Sequence, residues 1–340
     1  MGHDKVVERI IDAGGRAPSV HNTQPWLVRV EDRRHLVVRA DPSRQLRLND
    51  PQGREMFISC GAFVMNLRVA AAHEGLDAHA QLAPDPDDPL LVARITLTPL
   101  AAPGFFNDSL FSAIVARHTA RGSITSRPLD RGDVELLRRA ATLEHAGVVF
   151  LGPRDAAGGH LVSSMRRAEA LAVSQEGHLR EDAAWLGGDR GRAEGVPTDA
   201  MGGWFQEPGV DRRPAVRDEA SGARTFESIG TTAIITTPGD DASHWLVAGQ
   251  ALERMLLVAT ARGIHASFAT RVLENSVTRA EVEQAFHLTA RAQMLVRFGY
   301  GSGGPSTPRR DIEDVLRRDE RHGESAVSAY RRSAVERSSS

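Results

Sequence analysis

Lysine is almost missing from this chain of 340 residues: Lys5 is the single one, and arginine carries nearly all of the basic charge. Cysteine is as scarce. Cys60 stands alone, which excludes an internal disulfide and a thiolate-clustered metal site. It lies among Met56, Phe57, Phe63, Val64 and Leu67 on a helical pattern, so it reads as buried filler rather than as a nucleophile. A surplus of charge is lacking too. The formal net charge of -2 gives no electrostatic case for nucleic acid or an acidic membrane as partner. No apolar run is expected to span a bilayer, and Met1–Lys5 opens without an apolar signal region, so a cytoplasmic location is expected. The histidines show no H-E-x-x-H or other close metal spacing, and there is no serine-centred elbow of the hydrolase type. Gly299–Gly304 is glycine-rich, but Pro305 follows and no helix opens behind it, so the context of a dinucleotide loop fails.

What remains is an ordinary globular composition, 41% hydrophobic and 25% charged, long enough for two domains or one large one. The chain is organised around Arg16-Ala17-Pro18-Ser19-Val20-His21-Asn22-Thr23-Gln24-Pro25-Trp26. Val6, Val7, Ile10, Ile11 and Ala13 predict a helix that must stop at Ala17, because Pro18 disfavours helical dihedrals there. Pro25 extends Gln24, and Leu27–Val30 alternates as a strand. Ser19 to Gln24 thus form an irregular turn between two rigid elements, where binding residues concentrate. On residue chemistry alone, Ser19 and Asn22 could equally serve only the loop backbone.

Strands are expected at 26–30, 36–40, 78–82 and 91–98. Between the second and third, a long helix runs through Met56, Cys60, Phe63, Val64, Leu67 and Ala71 and ends at Gly75. After a connector at 99–104 the order echoes itself. Helix 133–145 leads to strand 148–151, helix 244–262 ends at Gly263 before strand 264–268, and strand 293–298 follows. Residues 156–180 should be helical. The stretch from Trp185 to Trp204 is glycine-rich with scattered aromatics, which suits a lid better than a solvated linker. A last helix at 311–318 precedes a charged tail at 319–340, expected to be mobile.

Arg117-His118-Thr119-Ala120-Arg121 sets a hydroxyl between two guanidiniums, which suits a phosphate, although a charged helix end is the plainer reading of those residues alone. Arg309, before the last helix, leaves the same two readings open.

Ala17-Pro18-Ser19-x-x-Asn22-x-Gln24-Pro25-Trp26 resembles the N-terminal signature of the flavin-dependent nitroreductase superfamily. His21 before Asn22, Gly53-Arg54-Glu55 and Cys60-Gly61-Ala62 resemble its Acg branch of FMN-binding oxidoreductases. Arg117–Arg121 resembles the family's Arg-x-Ser-x-Arg/Lys motif, with Thr119 in place of serine. The resemblance implies an α+β fold, with a mainly antiparallel central sheet, surrounding helices and two pseudo-repeated halves in one chain. These would be residues 1–100 and 101–318, with a lid insertion at about 181–226. In ordinary members the arginine motif precedes the Pro-Ser turn, and each site draws the two from different subunits. Here the order is reversed, as a fused dimer would need, which implies one FMN per chain and a monomer imitating a dimer.

Carried over, Arg117, Thr119 and Arg309 hold the FMN phosphate, and Arg121 stabilises the reduced ring as the catalytic residue. Arg16, Pro18, Ser19, His21, Asn22, His118, Ser267 and Thr270 complete the cofactor-binding set. His21 crowds the turn compared with many relatives. The implied function is an FMN-dependent oxidoreductase that passes hydride or electrons to a small-molecule acceptor, with NAD(P)H a candidate partner. The alternative is an FMN-sequestering protein with a lid over the flavin and little or no turnover.

Overall fold

The computed structural model describes residues 3–100, 105–121, 124–125, 127–151, 158–204, 231–301 and 304–317. Two four-stranded sheets, antiparallel throughout, carry the architecture. The first is built from β1 (Trp26–Val30), β2 (His35–Ala40), β3 (Leu76–Leu82) and β4 (Leu91–Pro99), in the order β1-β2-β4-β3. The second comprises β5 (Gly147–Leu151), β6 (Thr231–Thr237), β7 (His265–Phe268) and β8 (Arg291–Gly299), in the matching order β5-β6-β8-β7. The expected central sheet is therefore realised as one sheet per half.

The helices repeat the same plan. α1 (His3–Gly15) packs on α2 (Arg54–His73). After α3 (Phe105–Ala116), α4 (Arg131–Leu143) packs on the later α7 (Ala242–Ala261) in the same way. Asp130 and Asp241 cap α4 and α7 by accepting the backbone N–H three residues on. Gly75 and Gly263, at φ 76 and 68, end α2 and α7 in the left-handed conformation just before β3 and β7.

The halves meet along α2 and α7. At their crossing a Cβ on Gly61 would stand 2.2 Å from the Leu246 carbonyl oxygen, and one on Gly249 would stand 2.0 Å from that of Ile58. Each glycine lies three residues after the residue whose carbonyl the other touches, so the contact is nearly two-fold symmetric. One continuous core surrounds it, including Trp26 stacked on Phe63. α2 is long and apolar enough by composition to cross a bilayer, against the expectation above, and it is buried along nearly its whole length inside the protein.

Other differences have local causes. Strand β6, absent from the expected strands, is buried at every residue, so its Thr-Thr-Ala-Ile-Ile-Thr-Thr run shows no alternation. The expected helix at 156–180 is two, α5 (Gly158–Val173) and α6 (Glu176–Trp185), because the backbone extends at Gln175. After two short helices, α8 (Arg271–Glu274) and α9 (Ser276–Ala285), the last helix is a single turn, α10 (Ile312–Val315). It stops because the chain turns to run beside β1, with the Arg317 N–H donating to the Val28 carbonyl at 2.8 Å. Phe205 to 226 of the expected lid, and the expected tail at 319–340, lie outside the described residues.

Candidate functional site

The turn after α1 is pinned from below. Ser59, on α2, accepts from the Val20 N–H at 3.1 Å and donates to the Glu55 carbonyl at 2.7 Å; Ser19 Oγ accepts from the Gln24 N–H at 3.0 Å. His21, Asn22 and Gln24 hold φ of 45, 57 and 52. Three such residues in four positions mark a turn whose strained geometry is imposed by its surroundings.

Those surroundings use up the signature's amides. Asn22 Nδ2 donates to the carbonyls of Gly195 (2.9 Å) and Pro308 (3.1 Å), and its Oδ1 accepts from Arg309 Nη1 (3.0 Å). Gln24 Nε2 donates to Ala193 O at 2.8 Å, and its Oε1 accepts from the Arg310 N–H at 2.9 Å. Asn22 was expected at the cofactor. It instead staples the 193–195 and 308–310 segments to the turn and does not line the cavity, because its hydrogen-bonding groups are already engaged.

From the second half, Thr119 bridges Ala266 and the Ala120 N–H donates to Ala266 O at 2.7 Å. Residues 119–121 thereby extend the open edge of β7. Between this edge and the Pro18–His21 turn lies a cavity of about 200 Å³. Its floor is Glu55, Ile58 and Ser59 of α2 with Leu252 of α7; Ser267 to Val272, Met294 and Arg297 form the far wall. Met165 and Glu169 of α5, with Leu186, Val196 and Met201, close the remaining side. Seven of the expected residues line it: Pro18, Ser19, His21, Thr119, Arg121, Ser267 and Thr270.

Four more gather as a basic cluster apart from the cavity walls. Arg117 Nη2 and Arg309 Nη2 both donate to the Arg16 carbonyl, at 3.0 and 3.2 Å. Burial pushes the Arg309 guanidinium down to about 9, helped by the charge of Arg117 and that of Arg121. Burial, with Arg117, lowers Arg121 to about 10. His118 is lowered by burial and then by Arg117, Arg309 and Arg16. The acid facing this cluster is Glu253 on α7, 3.5 Å from Arg117 Nε and fully buried. Burial raises its carboxyl to about 7, while Arg117 opposes the shift. Arg117 Nε and Arg309 Nε have no hydrogen-bond partner among the described residues. Buried charge left so incompletely paired is costly unless an anion completes it.

Arg297, Glu253, Glu169 and Arg271 belong to this region and were not singled out from the sequence. A glutamate on the apolar stretch of α7 was the one available signal. Arg297 gave none, since only the sheet register turns it into the cavity, where its Nη2 donates to Ser267 Oγ at 3.0 Å. Cys60 is buried, as expected, and its thiol donates to Pro25 O.

No protein-family model matches the chain. It is 32% identical over 334 residues to the Mycobacterium tuberculosis protein named "Putative NAD(P)H nitroreductase Rv3131", covering 92% of this chain and 91% of that one. It is 28% identical over 329 residues to the "Putative NAD(P)H nitroreductase acg" of the same species, covering 92% and 95%. Among solved structures, the FMN-dependent nitroreductase NfnB of Mycobacterium smegmatis in complex with NADPH aligns with a TM-score of 0.38 at 16% identity, over 63% of this chain and 100% of that one. A nitroreductase with bound FMN from Bacteroides fragilis also aligns at 0.38, with 14% identity, over 59% and 93%.

Proposed function

The chain belongs to the nitroreductase family of these mycobacterial relatives, and from that premise we propose that it holds one FMN between its two halves and passes hydride or electrons from it to a small acceptor. The observation that carries the reading is the incompletely paired arginine cluster at 117 and 309, joined through Thr119 and Arg121 to a cavity walled by both halves. A phosphate monoester offers the acceptor oxygens that the buried guanidiniums lack. FMN would supply hydride transfer when bound.

The protein's own groups do the rest. Arg117, Thr119 and Arg309, with Arg16 beside them, would hold the phosphate. Arg121, which lines the cavity, would stabilise negative charge on the bound ring electrostatically. Pro18 to His21 and Ser267 to Thr270, which line the cavity, would hold the ring, and Leu186, Val196 and Met201 would exclude water from it. Both walls and the arginine cluster come from one polypeptide, so a monomer completes the site. Nitroaromatic or quinone-like acceptors suit the largely apolar walls, with NAD(P)H as reductant.

The second reading, an FMN store, draws on the hydrogen bonds that tie residues 193 and 195 to Asn22 and Gln24. The visible spectrum of the purified protein, and of its supernatant after heat denaturation, tests both. About one FMN per chain that NAD(P)H bleaches anaerobically, with turnover on an acceptor, supports the oxidoreductase. Bound flavin that is never reduced supports the store. A colourless protein that takes up no added FMN overturns both.

A further inference from the structure

His21 is the titratable side chain that the signature turn itself presents to the cavity. Its backbone sits at φ 45 and ψ 24, which glycine adopts freely and a residue with a Cβ adopts only under strain. The ring is held from outside. Nε2 lies 2.9 Å from Asp182 Oδ1, on α6. Arg271 donates to the other oxygen of that carboxylate, and Asn49 Nδ2 donates to Oδ1 at 3.1 Å. His178 Nδ1, 2.8 Å from Asn49 Oδ1, fixes the orientation of that amide.

A carboxylate clamped by arginine is ionised and can only accept, so Nε2 of His21 must carry a hydrogen. Nδ1 is then the nitrogen left for chemistry, and it has no hydrogen-bond partner among the described residues. The charged groups around the ring are Asp182 on α6, Glu169 on α5 and Glu55 on α2, against Arg271 on α8, Arg297 on β8 and Arg121.

We propose that His21 is the proton donor of this site, with Asp182 as its positioning residue. The proposal rests on the flavin reading above. A quinone-like acceptor that takes a hydride becomes a hydroquinone monoanion and still needs one proton. The Nδ1–H bond of the imidazolium breaks, the proton goes to the acceptor's second oxygen, and neutral His21 recovers a proton from water. NAD(P)H replaces the hydride. A pinned ring beside the acceptor makes this proton available at the moment of transfer.

The test uses the holoprotein, reduced anaerobically and mixed either with benzoquinone or with ferricyanide, which takes an electron and no proton. In His21→Gln the quinone-to-ferricyanide rate ratio falls roughly 100-fold and the pH dependence of the quinone step flattens. Asp182→Asn lowers the ratio less. Imidazole ¹⁵N NMR of the flavin-free protein shows the Nε2–H tautomer in wild type and a mixture in Asp182→Asn. An unchanged ratio in His21→Gln, or an Nδ1–H tautomer in wild type, overturns the proposal while leaving the flavin reading intact. Failure of the wild type to bind FMN overturns that reading first.

Discussion

Gly249→Ala should be among the most damaging conservative changes in this protein. The added methyl carbon would sit 2.0 Å from the Ile58 carbonyl oxygen and 2.9 Å from the Gly61 Cα. A carbon–oxygen contact needs roughly 3.3 Å, so α2 and α7 must part by about 1 Å. Both obstructing groups are backbone, so no side-chain rotation relieves them. Overpacking of a well-filled core costs about 1–3 kcal/mol, and here the upper end or more is expected. The better helix propensity of alanine returns about 1 kcal/mol at most. The net loss is therefore about 2–3 kcal/mol, read as a fall in the urea midpoint at constant m. Gly61→Ala should cost about as much, and the double variant less than the sum, because helices already parted accommodate the second methyl. Flavin affinity should fall in parallel, since Ile58, Ser59 and Leu252 ride on these helices. Gly15→Ala, where a Cβ meets nothing within 4 Å, is the control and should stay within about 0.5 kcal/mol. A loss below about 1 kcal/mol in Gly249→Ala, with m unchanged, would refute the close-crossing argument.

Glu253 is raised in the folded protein to about 7, so its stabilising contribution is full below the ordinary glutamate range and is lost as pH rises through about 7. Glu253→Gln should therefore flatten the stability profile between about pH 5 and 8, with its gain over wild type largest at the alkaline end; an unchanged profile in thermal melts tells against it. Arg309→Ala should weaken FMN by about 1.5–3 kcal/mol, some 10- to 100-fold, and riboflavin far less, because only FMN carries the phosphate. Equal losses in fluorescence-quenching titrations of the two would place Arg309 elsewhere. Ser59→Ala leaves the Val20 N–H without its partner at the base of the turn and should cost about 1–2 kcal/mol in denaturant unfolding, along with FMN affinity. Unfolding and FMN binding both as in wild type would show that the turn holds without it.

Local chemistry made part of this protein readable in its sequence. Pro18 stops α1 and Pro25 starts β1, so the turn between them follows from dihedral restriction alone. Gly75 and Gly263 end the two long helices at matching places because each needs a positive φ. The hydroxyl flanked by arginines at 117–121 suits a phosphate by residue type, but a charged helix end is the plainer reading until the family resemblance is added. Packing decided the rest. β6 was hidden because a strand buried on both faces loses its alternation. Asn22 resembles a cofactor ligand in sequence, but its amide bonds Gly195, Pro308 and Arg309, the last of them 287 residues away. Arg297 enters the cavity only through the register of β8, and Glu253 meets Arg117 only because α7 packs against α3, which Arg117 follows. Backbone restrictions and residue chemistry act over a few residues and can be read in order. Which groups remain unpaired in the interior depends on partners that only the folded chain brings together.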